Sequence, residues 1–164
     1  MPRKRRSYEA GHQPKFLVVI DDSPECDRAI YFGSRRCARI GAKVVMCRVI
    51  ETKDHAQQWL GVADLMRAEA HDEARAILAQ AAARAQGVAG VTPELVIREG
   101  DKATEILNLI DEDEDIALLI LAAGTGKEGP GPLVSDLIQS AGTFPIPVAI
   151  VPGHLSDQDL DGLS

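Results

Sequence analysis

The chain has 164 residues, 45% of them hydrophobic and 26% charged, which are the proportions of a folded globular domain and exclude a disordered or fibrous chain. No apolar run reaches the ~18 residues that a membrane-spanning helix needs. The formal net charge is −7; four of the 18 basic residues lie at positions 3–6, so the rest of the chain has 14 basic residues against 25 acidic ones. An acidic body of this kind argues against nucleic acid and membrane surfaces as partners.

Composition divides the chain into three parts. Residues 1–14 are predicted to be a disordered basic tail, residues 15–152 one α/β domain, and residues 153–164 an acidic C-terminal tail. The beginning of the chain has no hydrophobic stretch followed by a small-residue cleavage site, which argues against a secretory signal. The three cysteines are odd in number and lack metal-ligand spacing, which suits a reduced compartment. We therefore expect a cytoplasmic protein.

The first strand and helix have clear boundary signals. The continuous apolar run 16–20 is typical of a strand that is covered on both faces. Ser23 is predicted to cap the following helix, with Pro24 at its first position, and Gly41 is predicted to end it. Gly33 lies within the apolar stripe of this helix and would let the helix lie close to the sheet.

Two further strands and two helices are predicted in the middle of the chain. A strand over 43–50 precedes a long amphipathic helix, which has apolar and small residues at steps of three or four from Met66 and ends near Gly87. A third strand is expected over 93–98, and Asp101 is predicted to cap the helix after it.

The last third contains the most apolar strand and a glycine-rich loop. Residues 116–122 are predicted to form a central strand, and the loop 123–134 follows it. Ser135 is predicted to cap a short helix, and 147–151 form the last strand.

Strands that alternate with helices predict an α/β fold with a doubly wound five-stranded parallel sheet, helices on both faces, and the Rossmann-like order 3-2-1-4-5. In such a sheet, ligands bind beyond the carboxyl ends of the two strands at which the winding reverses, here strands 1 and 4. Asp21 and Asp22 follow strand 1, and the glycine-rich loop follows strand 4. The sequence therefore predicts that these two segments meet in one crevice.

The glycine-rich loop has the composition of a phosphate-binding loop. Glycines allow close approach of the backbone to an anion, and a helix N-terminus adds a positive dipole end. The G-x-x-x-x-G-K-[ST] pattern is excluded because Leu121 and Glu128 occupy two of its positions. The G-x-G-x-x-G pattern is met at Gly124, Gly126 and Gly129, but after the fourth strand. The alternative is a surface loop without a ligand.

Several segments resemble the universal stress protein family, and the resemblance extends from Lys15 to Pro152. The family's opening V-D-x-S-x-x-x-x-x-A is similar to the residues from Val19 to Ala29, its G-x-x-x-x-x-I element to Gly100–Ile106, and its closing P-V-x-x-V to Pro147–Val151. ATP-binding members carry G-x-x-G, nine residues and then G-[ST] after strand four. The resemblance implies the following nucleotide-binding residues: Asp21, Asp22, Val49, Ala122, Ala123, Gly124, Gly126 and Ser135. Of these, Asp21 and Val49 are expected at the nucleoside, and Gly124, Gly126 and Ser135 around the phosphates.

The resemblance also implies a stress-response protein that binds ATP or AMP, with Mg²⁺ if ATP, and acts by regulation or through an unidentified protein partner. It implies a homodimer that uses the last strand, at Val148, Ala149, Ile150 and Val151, where an edge strand invites pairing.

The sequence also bears on three other functions. The first is a nucleotide-free regulatory protein of the same fold. Ala123 and Val134 favour it, because the family pattern has glycine at both positions. A phosphoacceptor receiver domain would need an aspartate at the end of strand three, where Arg98 and Glu99 stand. The scattered histidines offer no nucleophile–base arrangement, so no catalytic residue and no metal site is predicted, and the most that we expect as an enzyme is slow ATP hydrolysis.

Overall fold

A five-stranded, all-parallel sheet forms the centre of the protein in the computed structural model, which describes residues 4–51 and 60–164. The strand order is β3-β2-β1-β4-β5, so the predicted fold is confirmed. The strands are β1 (Lys15–Val19), β2 (Lys43–Ile50), β3 (Glu94–Glu99), β4 (Ile116–Ala123) and β5 (Val148–Pro152). β1 is paired on one side with β2 and on the other with β4, which makes the latter pair the point where the winding reverses.

Helices cover both faces of the sheet. The helices are α1 (Cys26–Ile40), α2 (Leu60–Ala89), α3 (Lys102–Glu112), α4 (Pro132–Gln139) and α5 (Asp157–Leu163). Two separate apolar cores result, one under α1, α2 and α5 and the other under α3 and α4. Among the described residues, none of these helices combines the length and the apolar character that crossing a bilayer requires.

The alternation of side chains along β1 divides it between the two cores. Phe16 and Val18 pack under α1, whereas Leu17 and Val19 pack under α3 and α4, and none of the four is more than 5% exposed. A strand with such a pattern must be apolar at every position, as the sequence predicted.

Helix α1 lies close to the sheet at Gly33. A Cβ built on Gly33 would lie 2.9 Å from Val18 Cγ2 and 3.2 Å from Ile120 Cδ1. The absence of a side chain therefore lets α1 lie directly on β1 and β4, which confirms the expectation from the sequence.

Some helix boundaries differ from the sequence prediction. Ser23 does not cap α1, because its N–H and its hydroxyl both donate to Asp21 Oδ1, and α1 begins at Cys26 after Glu25. The other end of α1 is as predicted, with Gly41 in the left-handed region at φ 74°. Asp101 caps α3 as predicted, with its carboxylate accepting from Thr104 N at 3.0 Å.

The short helix α4 begins three residues before the predicted cap. Pro132 occupies its first turn, where a missing N–H costs nothing, and Gly131 precedes it. Ser135 consequently lies inside the helix, and its N–H donates to Gly131 O at 3.0 Å.

Both ends of the chain are ordered against the domain where the structure describes them. The sequence predicted a disordered basic tail; instead, the Arg5 guanidinium donates to Ile110 O at 2.6 Å and to Asp113 O at 2.9 Å, and Ser7 is 3% exposed. The physical reason is that the last carbonyl groups of α3 lack partners in their own helix, and Arg5 supplies them.

The acidic C-terminal segment forms α5. Ser156 and Asp159 form a reciprocal capping box, with both hydrogen bonds at 3.1 Å, and Leu160 is fully buried. The segment is acidic, as its composition indicates, but it is a docked helix.

Charged side chains connect α1 with its neighbours α2 and α5. Asp27 accepts from Arg84 Nε at 2.9 Å, and Arg28 bridges Asp27 and Asp157, each at 2.6 Å. Burial alone would raise the pKa of Asp27, but the hydrogen bonds from Arg84 and Arg28 outweigh it and the pKa is lowered.

Candidate functional site

A cleft of about 400 Å³ opens at the carboxyl ends of β1, β2 and β4. Its floor is apolar, with Val19, Val49 and Leu121 each at most 5% exposed, and α2 contributes one wall through Ala70 and Glu73. This is the place at which ligands bind in doubly wound sheets, and the volume lies in the ~300–1,000 Å³ range of small-molecule sites. The cleft is therefore the candidate functional site.

The predicted site residues divide into two groups. Four of them line the cleft, namely Asp21, Asp22, Val49 and Ala122. The other four are near the same edge of the sheet but do not line the cleft, namely Ala123, Gly124, Gly126 and Ser135. The structure thus brings the two predicted nucleoside residues, Asp21 and Val49, together in the cleft, whereas the three predicted phosphate residues, Gly124, Gly126 and Ser135, do not line it.

Asp21 is held in a fixed orientation at the mouth of the cleft. Its Oδ1 accepts from the Ser23 N–H at 2.9 Å and from the Ser23 hydroxyl at 2.5 Å, which closes a tight turn after β1. Its other oxygen, Oδ2, accepts no hydrogen bond from the residues that the structure describes. One carboxylate oxygen of this cleft-lining residue is therefore left as a preoriented acceptor for hydroxyl or amino groups.

Two cations that the sequence reasoning missed line the cleft. Arg48, near the end of β2, has a side chain only 14% exposed; it donates to Ile20 O at 3.4 Å and pairs with Asp22 at 3.0 Å. Lys102 begins α3 beside the Asp101 cap, and its nearest carboxylate is Glu51 at 4.0 Å. A charged residue that interrupts the apolar pattern near the end of a buried strand is the signal that could have identified Arg48.

The N-terminus of α4 supplies backbone donors to the cleft. Pro132 has no N–H, and the N–H of Ser135 is already bonded to Gly131 O. The N–H groups of Leu133 and Val134, in the first turn, have no carbonyl partner within the helix, and both residues line the cleft. These two groups and Lys102 form the side of the cleft that suits an anion.

The glycine-rich loop is closed on itself. Gly124 N donates to Pro130 O at 3.1 Å, and Gly129 N donates to Gly126 O at 3.2 Å. A Cβ built on Gly124 would lie 3.1 Å from Glu25 Oε1, so the Glu25 carboxylate lies directly against the loop. The Gly124 and Gly129 amides, which the sequence suggested for phosphate, therefore make hydrogen bonds within the loop.

Acidic groups outnumber basic ones around the cleft. Among the described lining residues, the carboxylates are Asp21, Asp22, Glu25, Glu51 and Glu73, and the cations are Arg48 and Lys102. A cleft with this balance repels ligands that carry several negative charges and tolerates one localised near its two cations.

No catalytic centre is apparent in the described part of the chain. No group of histidine, cysteine and carboxylate side chains has the arrangement of a metal site there. Burial raises the pKa of the Cys26 thiol to about 11 and those of Cys37 and Cys47 to about 12, so none of these sulfurs is a nucleophile at neutral pH.

Solved structures share this fold at low sequence identity. The universal stress protein UspA from Lactobacillus plantarum is 16% identical, with a TM-score of 0.72 over 84% of this chain and 97% of that one. A universal stress protein in complex with cAMP is 19% identical, with a TM-score of 0.60 over 85% and 97% of the two chains. The universal stress protein from Archaeoglobus fulgidus in complex with dAMP is 17% identical, with a TM-score of 0.55 over 84% and 96%.

A search among curated proteins gives no significant match. The model of the universal stress protein family matches residues 14–152, which include the whole sheet and the cleft. The sheet order, the position of the cleft and the extent of this match agree, and the chain belongs to the universal stress protein family.

Proposed function

We propose that the cleft binds an adenine nucleotide, and that the bound nucleotide regulates the contact of this protein with a partner. The observation that carries the proposal is the cleft itself, where an apolar floor, the preoriented Asp21 carboxylate and two anion-binding features, Lys102 and the α4 N-terminus, meet at the reversal point of the sheet. The two relatives described above as complexes with cAMP and dAMP support the same class of ligand.

Each part of the nucleotide has a counterpart in the cleft. The buried side chain of Val49 offers an apolar surface for the base, and Asp21 Oδ2 offers an acceptor for a ribose hydroxyl. Lys102 and the N–H groups of Leu133 and Val134 offer charge and donors for a phosphate. No step of bond cleavage is proposed, because the described part of the cleft holds no activated nucleophile.

Family membership supports a role in the stress response. The three unpaired, buried cysteines support a reducing compartment such as the cytoplasm. The homodimer implied by the resemblance stays part of this proposal, because β5 is hydrogen bonded to β4 on one side only and lies at the edge of the sheet.

Isothermal titration with adenosine and AMP tests the proposal. Lys102→Ala is expected to weaken AMP binding by roughly 10- to 100-fold and to leave adenosine binding unchanged. This loss corresponds to one charge-assisted hydrogen bond of about 1.5–3 kcal/mol. Lys127→Ala is the matched control, because Lys127 is exposed in the glycine-rich loop and does not line the cleft. Asp21→Asn is expected to weaken the binding of adenosine and of AMP by a similar factor.

The nucleotide-free regulatory protein remains the second candidate, favoured by the excess of carboxylates around the cleft. It would replace the first if the wild-type protein gave neither heat nor a thermal shift with millimolar AMP and adenosine.

A further inference from the structure

We infer that the cleft selects nucleoside monophosphates over triphosphates and that Glu25 enforces the selection; the inference rests on the nucleotide binding proposed above. Glu25 lines the cleft and its carboxylate lies against the glycine-rich loop, so phosphates that continue from the α4 N-terminus towards that loop would meet this carboxylate.

The position of Glu25 follows from its contacts. Glu25 lines the cleft, and its Oε1 and Cδ would be 3.1 Å and 3.5 Å from a Cβ on Gly124. On its other side, its Cβ would be 3.1 Å from a Cβ on Gly153. Glycines at 124 and 153 thus leave the room that the Glu25 side chain occupies. The half-buried carboxylate of Glu25 therefore lies against the loop.

The charge of Glu25 is uncompensated within the described residues. No ion pair or side-chain hydrogen bond to its carboxylate is present there, whereas the nearby Asp22 is paired with Arg48 at 3.0 Å. A second and third phosphate would approach this unpaired carboxylate with like charge in a partly enclosed cleft, where such repulsion is stronger than in water.

Several of the possible donors of the loop are not available to offset that repulsion, and its exposed Lys127 does not line the cleft. The Gly124 and Gly129 amides are bonded within the loop, and Pro130 and Pro132 have no N–H. A single phosphate, by contrast, has the free amides of the first turn of α4 and the Lys102 ammonium as donors in the same cleft. The structure therefore accommodates the first phosphate and opposes the rest.

Isothermal titration of AMP and ATP, each with and without Mg²⁺, tests the inference on the wild type and on Glu25→Gln. The variant keeps the size of the side chain and removes its charge, and it removes no helix cap because the Glu25 side chain makes no capping bond. The wild type is expected to bind AMP at least 10-fold more tightly than ATP. In Glu25→Gln, the affinity for ATP is expected to rise at least 10-fold, while the affinity for AMP changes less than 3-fold.

Glu73→Gln is the matched comparison, because it removes the same charge from the α2 wall of the cleft. We expect this variant to change the affinities for AMP and ATP by the same factor. Thermal unfolding of each variant checks that it is folded.

Three results would overturn this inference and leave the nucleotide-binding proposal standing. Equal affinity of the wild type for ATP and AMP would do so, as would a common gain for both ligands in Glu25→Gln. ATP binding that requires Mg²⁺ and is lost in Glu25→Gln would show instead that Glu25 holds a bridging ion. Failure of the wild type to bind AMP and adenosine alike would refute the nucleotide-binding proposal itself, and this inference with it.

Discussion

Replacing Gly33 by alanine is expected to destabilise the protein, although the same replacement stabilises most helices. The new Cβ would stand 2.9 Å from Val18 Cγ2, closer than such atoms approach in folded proteins, and 3.2 Å from Ile120 Cδ1. The end of the Ile120 side chain can move by a few tenths of an ångström. Val18 cannot, because it is fully buried on the central strand and the rotation of its β-branched side chain about χ1 is restricted.

Two opposing terms set the magnitude. Alanine improves helix propensity by about 1 kcal/mol over glycine. Overpacking a filled core costs about 1–3 kcal/mol. With Val18 unable to yield, the second term is the larger, and we expect Gly33→Ala to lower the free energy of unfolding by about 1 kcal/mol.

Gly87→Ala is the matched control, because Gly87 is exposed within α2 and a Cβ there would meet nothing within 4 Å. It receives only the propensity gain and is expected to raise the free energy of unfolding by up to about 1 kcal/mol. Urea unfolding measures both, with the slope of the transition unchanged. If Gly33→Ala stabilised the protein as much as Gly87→Ala, the close contact of α1 with the sheet would not constrain the fold.

Three further outcomes are expected. Because burial raises the thiol pKa values to about 11–12, none of the three cysteines should react with a chromogenic disulfide reagent at pH 8 until denaturant is added, and rapid labelling of the native protein would contradict this. The pKa of Asp27 is lower in the folded chain than its ordinary value of 3.8. The ionised carboxylate therefore stabilises the fold fully above pH 3.8, and this stabilisation is lost as the pH falls through the pKa of the folded state. Asp27→Asn should be less stable than the wild type at pH 6, and its free energy of unfolding should fall less on acidification to pH 3. Ile150, 39% exposed on β5, should lie in the dimer interface, so Ile150→Asp should give a monomer in light scattering where the wild type gives a dimer; a monomeric wild type would refute the β5 dimer.

The fold was predictable because its signals are local and agree with one another. The apolar run of β1 requires cover on both faces, the Asp101 cap fixes the beginning of α3, and Gly41 fixes the end of α1. Each of these depends on residues within a few positions of one another. Alternation of strands and helices then leaves few topologies.

The details of the site depend on contacts between distant segments, which a single sequence does not display. Serine is a common helix cap, but the Ser23 hydroxyl donates to Asp21 Oδ1 within the turn after β1 and does not cap α1. Ser135 likewise lies in the second turn of its helix because Pro132 begins that helix earlier. Glu25 is unremarkable in the sequence, and only the approach of Gly124 shows that it occupies the space beside the loop.

The central position of β1 has a consequence for the order in which the protein is made. Its pairing with β2 can form early, but its second neighbour, β4, begins only at Ile116, so one apolar edge of the central strand stays open until most of the chain has been synthesised. An open strand edge is a template for association with other chains. We therefore expect nascent chains that stop before Ile116 to be captured by chaperones or to aggregate, and the protein to become soluble on its own only when β4 has been released from the ribosome.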